Sequence, residues 1–394
     1  MQFEMKYGIS AVEGVRVTIK TKERNKCIRQ LLDDLYKQAE NPDTDIDESA
    51  YKQSIDRLFD TTTWGFREIL LVVVIGMQLD KTYRASSGLY NCNPRAIYEG
   101  PIKEFLIEKH IPHRKSGPLN VAKATIGLNE SWAAQRRPAV IAEDVVRIIK
   151  YMEEDPDKRD ERVLAVGVSI MRRFISCSDH LESLSVNLRP SADPYFLYHL
   201  CYKLITKTPD AGNTPQKIVA FLLKHYHCSM QTGIVVTGEK DRASVASTTS
   251  KKPGDVNEES MSGEIFKVYE VTVKKFDIKR IRDSYDCIHT YNRSNHADIH
   301  EVIVICRPED CPKDMDAIRL QGCNLHECLG SYKYRDIIYY YWNINEWILS
   351  MLQRMTTKAR TGFYKNLNSY IEDINTAENV KVMWKRLHTS CAVQ

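Results

Sequence analysis

A strand pattern at residues 265–276, with the turn before it, constrains the fold more than any other part of this sequence. Here β-branched and aromatic residues alternate with charged ones, which is typical of a strand with one buried face. Because successive side chains on a strand point to opposite faces, the pattern predicts that Glu270, Thr272 and Lys274 project together. A Pro-Gly pair upstream predicts a turn, and this turn carries Asp255. The stretch therefore predicts two carboxylates and a lysine at one edge of a sheet.

These residue types are suited to a reaction at a phosphodiester. Hard cations such as Mg2+ take oxygen ligands, and Mg2+ often uses one or two carboxylates, so Asp255 and Glu270 are the candidate metal ligands. Lys274 would lie near the attacking water and offset negative charge on the phosphate. An alternative stays open, because a Gly-Asp pair after proline is common turn chemistry and alternating Glu and Lys are typical of a solvated strand face.

The segments around this stretch predict an α/β domain. Helical spacing of apolar residues predicts helices, and short continuous apolar runs predict buried strands. The expected order is strand, turn with Asp, long strand, helix, strand, strand, helix. Besides the long strand, the predicted elements are an opening strand at 232–238, a helix at 278–293, strands at 301–306 and 337–343, and a helix at 344–355.

Two short motifs in the region from about 231 to 355 resemble the signature of the PD-(D/E)xK nuclease superfamily, most closely type II restriction endonucleases. In the family a proline usually sits directly before the aspartate, and a lysine usually sits two residues after the second acid. Here Gly254 intervenes before Asp255, and Thr272 stands where the lysine is expected. The family tolerates replacement or migration of that lysine. The motifs are Pro253-Gly254-Asp255 and Glu270-Val271-Thr272, with Lys274 two positions further on.

The resemblance implies a restriction-endonuclease-like mixed sheet flanked by helices, and hydrolysis of both strands of duplex DNA at a specific sequence. It implies Mg2+ held by Asp255 and Glu270, in-line attack by a water that Lys274 assists, and a supporting role for Thr272. Glu264 is a reserve acid, since the family sometimes recruits one nearby. The resemblance also implies a homodimer whose two sites face opposite strands. A host methyltransferase would act on the same DNA site and need not bind the nuclease.

Two other functions stay open at this point. One is a DNA-binding protein without catalysis, in which a nuclease-like core has lost its lysine; Thr272 favours this alternative. The other is a nuclease of the same superfamily that acts in repair or junction resolution. A helical domain of more than two hundred residues favours sequence recognition over a minimal structure-specific nuclease.

The chain has 394 residues, enough for two or three domains. We expect a mainly α-helical domain at 1–228 that helps to grip DNA, and a nuclease core with C-terminal helices at 229–394. The apolar run 69–77 is too short to cross a bilayer and is predicted to be buried, and we expect no membrane partner. Helices in the first domain are predicted at 24–40, 54–79, 140–153 and 215–226.

The net charge of +4, from 56 Lys and Arg against 52 Asp and Glu, neither demands nor excludes nucleic acid. A DNA-binding surface must then come from local concentration of charge. Asn120 would instead contact a base edge, since Asn pairs bidentately with adenine. Solvated faces and ordinary loops are the alternative for all these residues. The candidate DNA contacts are Arg114, Lys115, Asn120, Lys123, Lys251, Lys252, Lys275, Lys279 and Arg280.

Eleven cysteines, and a start that lacks the apolar region of a signal peptide, lead us to expect reduced thiols in a cytoplasmic protein. Scattered thiols are the expected arrangement. The alternative is a zinc site, although the spacing lacks the tight CxxC pair of common structural sites. The candidate zinc ligands are Cys306, Cys311, Cys323, His326 and Cys328.

Overall fold

The computed structural model divides into two compact units, Met1–Ser183 and Leu184–Gln394. It describes residues 21–114, 120–186, 189–240, 252–312, 316–317 and 327–391. The described α-helices of the first unit are α1 (Thr21–Glu40), α2 (Lys52–Asp60), α3 (Gly65–Leu79), α4 (Ala85–Gly88), α5 (Pro94–Ile97), α6 (Lys103–Glu108), α7 (Glu130–Ala134), α8 (Ala139–Glu153) and α9 (Arg159–Ser183).

Helix α3 lies at the centre of the first unit's core. Residues 65–77 of this helix are all buried, which confirms the prediction for the apolar run 69–77. Helix α9 approaches α1 and α3 closely at Gly167, where a Cβ atom would lie 2.9 Å from Leu35 Cδ2 and 3.0 Å from Val74 Cγ1. Among the described residues, no helix is long and apolar enough to cross a membrane.

Most of the helices predicted from helical periodicity are present in the structure. The predictions at 24–40 and 140–153 are confirmed as α1 and α8. The prediction at 54–79 is two helices, α2 and α3, because the chain becomes extended at Thr61, with φ −81° and ψ 147°. The helix predicted at 215–226 forms the middle of a longer one in the second unit.

The second unit combines a mixed sheet with helices. Its described α-helices are α10 (Pro194–Lys207), α11 (Asn213–Met230), α12 (Ile278–Asn295), α13 (Ile344–Arg354), α14 (Thr357–Glu372) and α15 (Glu378–Cys391). Its described strands are β1 (Val235–Thr237), β2 (Val256–Glu259), β3 (Ile265–Val271), β4 (Glu301–Cys306), β5 (Asp316–Ala317), β6 (Cys328–Tyr334) and β7 (Ile337–Asn343).

The described strands pair in the order β1-β2-β3-β4-β7-β6-β5. Strands β1, β2 and β3 form an antiparallel meander, whereas β3, β4 and β7 are parallel neighbours. Strand β6 pairs antiparallel with β7, and β5 pairs antiparallel with β6. Helix α12 connects β3 to β4, so the carboxyl ends of β3 and β4 meet at one edge of the sheet.

Helices cover both faces of this sheet. On one face, α12 packs Ile281 and Ile288 against Val268 and Val302. On the other face, α10, α11, α13, α14 and α15 share a larger core with residues of β2, β3 and β4. The second unit is therefore mixed α/β with a helix-flanked sheet, and the first is mainly helical in its described part.

The division between the units differs from the expected boundary at 228/229. It lies at Ser183/Leu184, so α10 and α11 belong to the second unit. The physical reason is packing, because apolar side chains of these helices join one core with Tyr269 of β3 and Ile305 of β4. Helical periodicity shows that a segment is a helix, but it does not show which core the helix packs against.

The strands predicted at 301–306 and 337–343 are confirmed as β4 and β7. The long strand predicted at 265–276 ends at Val271 instead. The Thr272 hydroxyl causes the change of direction, since Oγ1 accepts a hydrogen bond of 3.0 Å from the Lys274 N–H. Strands β2, β5 and β6 were not predicted.

Candidate active site

Asp255 lies directly before β2, where two glycines let the backbone pack closely. Gly238 has φ +101°, and a Cβ there would lie 2.1 Å from the Asp255 carbonyl oxygen. A Cβ at Gly254 would lie 2.4 Å from Val268 Cγ1. Gln216 of α11 donates from Nε2 to the Asp255 carbonyl oxygen at 3.0 Å. The backbone that carries Asp255 is thereby held against β3 and α11.

The carboxylates of Asp255 and Glu270 occupy the same corner of the sheet. The antiparallel register of β2 and β3 brings Asp255 opposite Glu270. Asp255 Oδ2 accepts a 3.0 Å hydrogen bond from the Val271 N–H. Glu270 Oε1 accepts a 3.0 Å hydrogen bond from the Ser284 hydroxyl of α12. Each carboxylate keeps a second oxygen that accepts no hydrogen bond from any described residue.

The surroundings raise the pKa of both carboxylates. Burial raises the pKa of Glu270 to about 8, and the negative charge of Asp255 adds to the rise, while Arg280 and the Ser284 hydroxyl oppose it. Burial also raises the pKa of Asp255, against the effects of the Val271 N–H and Arg280. When two adjacent carboxylates are both ionised, their negative charges repel each other, and a bound cation would compensate that repulsion.

Arg280 supplies the positive charge beside this pair. It stands in the first turn of α12, where Asp277 Oδ1 caps the helix by accepting from the Arg280 N–H at 3.1 Å. Its Nη1 donates to Thr272 Oγ1 at 2.5 Å. Its Cζ lies 4.8 Å from the centroid of the Phe276 ring. The sequence predicted Arg280 as a DNA contact, and the structure places it beside the carboxylates.

The sequence predicted that strand alternation places Lys274 on the same face as Glu270, but the structure does not show this arrangement. The strand ends at Val271, and Lys274 is exposed in the turn that follows. Thr272 is buried and donates from Oγ1 to the Lys274 carbonyl oxygen at 2.9 Å. Thr272 therefore shapes the turn.

A loop after β4 holds this turn in place through hydrogen bonds. Arg307 Nη2 donates to the Val273 carbonyl oxygen at 2.8 Å, and Arg307 Nε pairs with Asp310 Oδ2 at 2.7 Å. The Phe276 N–H donates to the Asp310 carbonyl oxygen at 2.9 Å. Sequence reasoning missed this loop, along with Gln216 and Ser284, because they act through contacts that no local pattern signals.

The reserve acid Glu264 lies away from the pair. It is exposed and precedes β3, whereas Glu270 lies near the far end of that strand. At about 3.3 Å per residue, six residues of strand separate the two acids by roughly 20 Å. Glu264 is therefore not a member of this site.

The pair fits Mg2+ in its donor chemistry. Both side chains offer carboxylate oxygens, and a magnesium site with one or two carboxylates fills its remaining positions with water and phosphate oxygens. In the part of the chain that the structure describes, no group of three or more His, Cys, Asp or Glu side chains is placed to hold a metal. The fit therefore rests on the two carboxylates.

The candidate DNA contacts fall in both units. In the first unit, Asn120 and Lys123 are exposed, while half-buried Arg114 stacks its Cζ 4.3 Å from the Trp64 ring centroid. In the second unit, Lys275 and Lys279 are exposed beside the site, and Lys252 is half-buried upstream of Asp255. Lys115 and Lys251 lie outside the described residues.

The cysteine cluster is described only in part. Cys306 is buried at the end of β4, as its apolar run predicted, and its Sγ lies 3.7 Å from Cys311 Sγ. Cys328 begins β6. Cys323 and His326 lie outside the described residues, and so does the zinc prediction that depends on them.

A scan against protein-family models finds no family that matches this chain. A search of curated proteins finds no match either.

Proposed function

We propose that this chain is a Mg2+-dependent endonuclease that hydrolyses both strands of duplex DNA at a specific sequence, as type II restriction endonucleases do. The observation that carries the proposal is the pair of Asp255 and Glu270, two neighbouring carboxylates at the sheet edge beside the Arg280 guanidinium. The described order of β1, Asp-bearing turn, β2, β3, α12 and β4 supports it, because apart from the additional strand β2 it is the order that the strand and helix patterns predicted.

Asp255 and Glu270 would hold the metal through the oxygens that accept no hydrogen bond from described residues. The chemistry that a bound Mg2+ supplies is neutralisation of phosphate charge and acidification of a water. The Val271 N–H and the Ser284 hydroxyl would keep the two carboxylates oriented, each through a 3.0 Å hydrogen bond. Orientation by groups behind the ligands is what makes a metal site selective and tight.

The exposed lysines beside the site would position DNA. Lys275 in the turn and Lys279 in the first turn of α12 would contact backbone phosphates, as would Lys252 and Lys251 before Asp255. The helical N-terminal unit would add contacts that recognise the DNA target sequence, through Arg114, Lys115, Asn120 and Lys123. Two protomers would present two sites, one for each strand. A methyltransferase that modifies the same sequence would protect host DNA in the cytoplasm.

A second function has an observation in its favour. Thr272 occupies the position where the family has its lysine, and it is buried and hydrogen-bonded within the turn. Lys274, two residues on, is exposed. These facts favour a DNA-binding protein whose core no longer cleaves, if no other cation serves the reaction.

The test is incubation of the purified protein with unmethylated phage DNA, in Mg2+ or in EDTA. The variants are Asp255→Asn and Glu270→Gln, which keep side-chain shape and remove charge. Glu264→Gln is the matched control, because Glu264 is an exposed acid outside the site. We expect discrete fragments that require Mg2+, persist in the control and vanish in both site variants.

Other outcomes select other functions. Intact DNA under every condition, with DNA binding retained, would support the non-catalytic protein. Cleavage confined to branched substrates would indicate a junction nuclease. A continuous smear of fragments would contradict sequence specificity, even if both site variants were inactive.

A further inference from the structure

We propose that Arg280, rather than Lys274, is the catalytic cation of this site, and that its guanidinium contacts the scissile phosphate. The inference rests on the proposed nuclease function and deepens it. It assigns to a helix residue the role that the motif resemblance assigns to a lysine after the second acid.

The position of Arg280 in α12 directs its side chain toward the site. The residue is the third of the helix, and its N–H is capped by Asp277. Side chains in a helix lean toward the helix N-terminus. For Arg280 this direction leads to the turn at residues 272–277, where its contacts with Thr272 and Phe276 lie.

The guanidinium is held in place before any substrate binds. Nη1 donates to Thr272 Oγ1, and the group lies over the ring of Phe276, which is itself buried. Arg280 Nε and Nη2 make no hydrogen bond with any described residue. An arginine that presents two unengaged donors in a fixed plane is suited to bidentate contact with a phosphate.

The charge of Arg280 acts on both carboxylates without an ion pair to either among the described residues. Its positive charge lowers the pKa of Asp255 and of Glu270, against the effect of burial. A guanidinium bridged directly to the acids would occupy the space between them and the substrate. The observed arrangement has no such bridge among the described residues.

Lys274 lacks these constraints. It is exposed, and its ammonium group makes no hydrogen bond or ion pair with any described residue. Its backbone N–H and carbonyl are both engaged by Thr272, which fixes the turn and not the side chain. A flexible surface lysine costs side-chain entropy to order at a phosphate, whereas Arg280 is already ordered.

In the proposed reaction, Arg280 contributes positive charge and does not transfer a proton. The water oxygen forms a bond to phosphorus, and the bond from phosphorus to the leaving ester oxygen breaks. The proton of the attacking water passes to solvent, and the leaving oxygen takes a proton from solvent. The positively charged guanidinium of Arg280 would stabilise the negative charge that builds on the phosphate oxygens.

The experiment compares Arg280→Ala, Arg280→Lys and the control Lys274→Ala on a duplex that carries one site mapped from the wild-type digest. Single-turnover cleavage is measured at saturating protein and Mg2+, and DNA affinity is measured separately by fluorescence anisotropy in EDTA. Loss of a preorganised charge at a phosphate typically lowers the rate about 100-fold. We expect that loss for Arg280→Ala with little change in affinity, partial recovery for Arg280→Lys, and near wild-type cleavage for Lys274→Ala.

Chemical rescue separates a catalytic role from a structural one. Millimolar guanidinium chloride, far below denaturing concentrations, should restore part of the activity of Arg280→Ala and none of that of Glu270→Gln. A large rate loss in Lys274→Ala together with full activity in Arg280→Ala would overturn the assignment and leave the nuclease function intact. Failure of guanidinium to rescue a folded Arg280→Ala would also count against it. Absence of wild-type cleavage would overturn both proposals.

Discussion

Replacing Glu270 by Gln should change the pH dependence of stability in a way that the site geometry dictates. In the folded chain the pKa of Glu270 rises from 4.5 to about 8, because its carboxylate is buried beside Asp255. Between these values the folded state binds more protons than the unfolded state. The free energy of unfolding of the wild type must therefore fall as the pH rises through this window.

The size of the effect follows from the same shift. The window from 4.5 to about 8 spans roughly 3.5 in pH, and each pH unit corresponds to about 1.4 kcal/mol, so the wild type loses up to about 5 kcal/mol. Gln does not titrate, and its side-chain oxygen can still accept from Ser284. Glu270→Gln should thus match the wild type near pH 5 and exceed its stability by a few kcal/mol above pH 8.

Urea unfolding in EDTA from pH 5 to pH 9 measures this difference. Tryptophan fluorescence reports on the second unit through three of the five tryptophans, Trp342, Trp347 and Trp384. Glu264→Gln, at an exposed acid, should run parallel to the wild type. Saturating Mg2+ should stabilise the wild type at pH 8 more than Glu270→Gln, because the cation compensates the second negative charge. Parallel curves for the wild type and Glu270→Gln would refute the reasoning.

Three further substitutions test how the site is held. Gly238→Ala should destabilise the protein and weaken Mg2+-dependent cleavage, because it adds a Cβ 2.1 Å from a backbone oxygen. The control Gly263→Ala, at φ +87° with nothing within 4 Å of the added Cβ, should lower the free energy of unfolding by only about 1–2 kcal/mol through backbone strain. Equal losses of stability for the two variants in thermal unfolding would contradict this. Ser284→Ala should raise the pKa of Glu270 further and shift the pH profile of Mg2+ binding, measured by calorimetry, upward; an unchanged profile would show that this hydroxyl does not act on Glu270. Arg307→Ala should speed hydrogen exchange in the turn at 272–277, and unchanged exchange would show that the loop after β4 does not fasten it.

Short apolar runs were enough to locate two of the interior strands of the sheet. The runs at 301–306 and 337–343 are β4 and β7, since an interior strand with helices on both sides of the sheet must be apolar for most of its length. Strand β2 escaped prediction because two of its polar residues, Asn257 and Glu258, are buried. Glu258 is compensated by His227 at 2.9 Å and by Tyr269 at 2.7 Å, and the first of these partners is 31 positions away in the chain.

For the site, the sequence by itself determined the two acids and the turn before β2, because Asp255 and Glu270 are placed by local glycine and strand patterns. Tertiary structure decided which cation accompanies them. Strand alternation predicts the direction of a side chain only within the strand. The strand ends before Lys274, where the hydrogen bonds of Thr272 form a turn. The fold then brings Arg280 of α12 beside the carboxylates. Their pKa values likewise depend on burial by distant residues, which no local pattern contains.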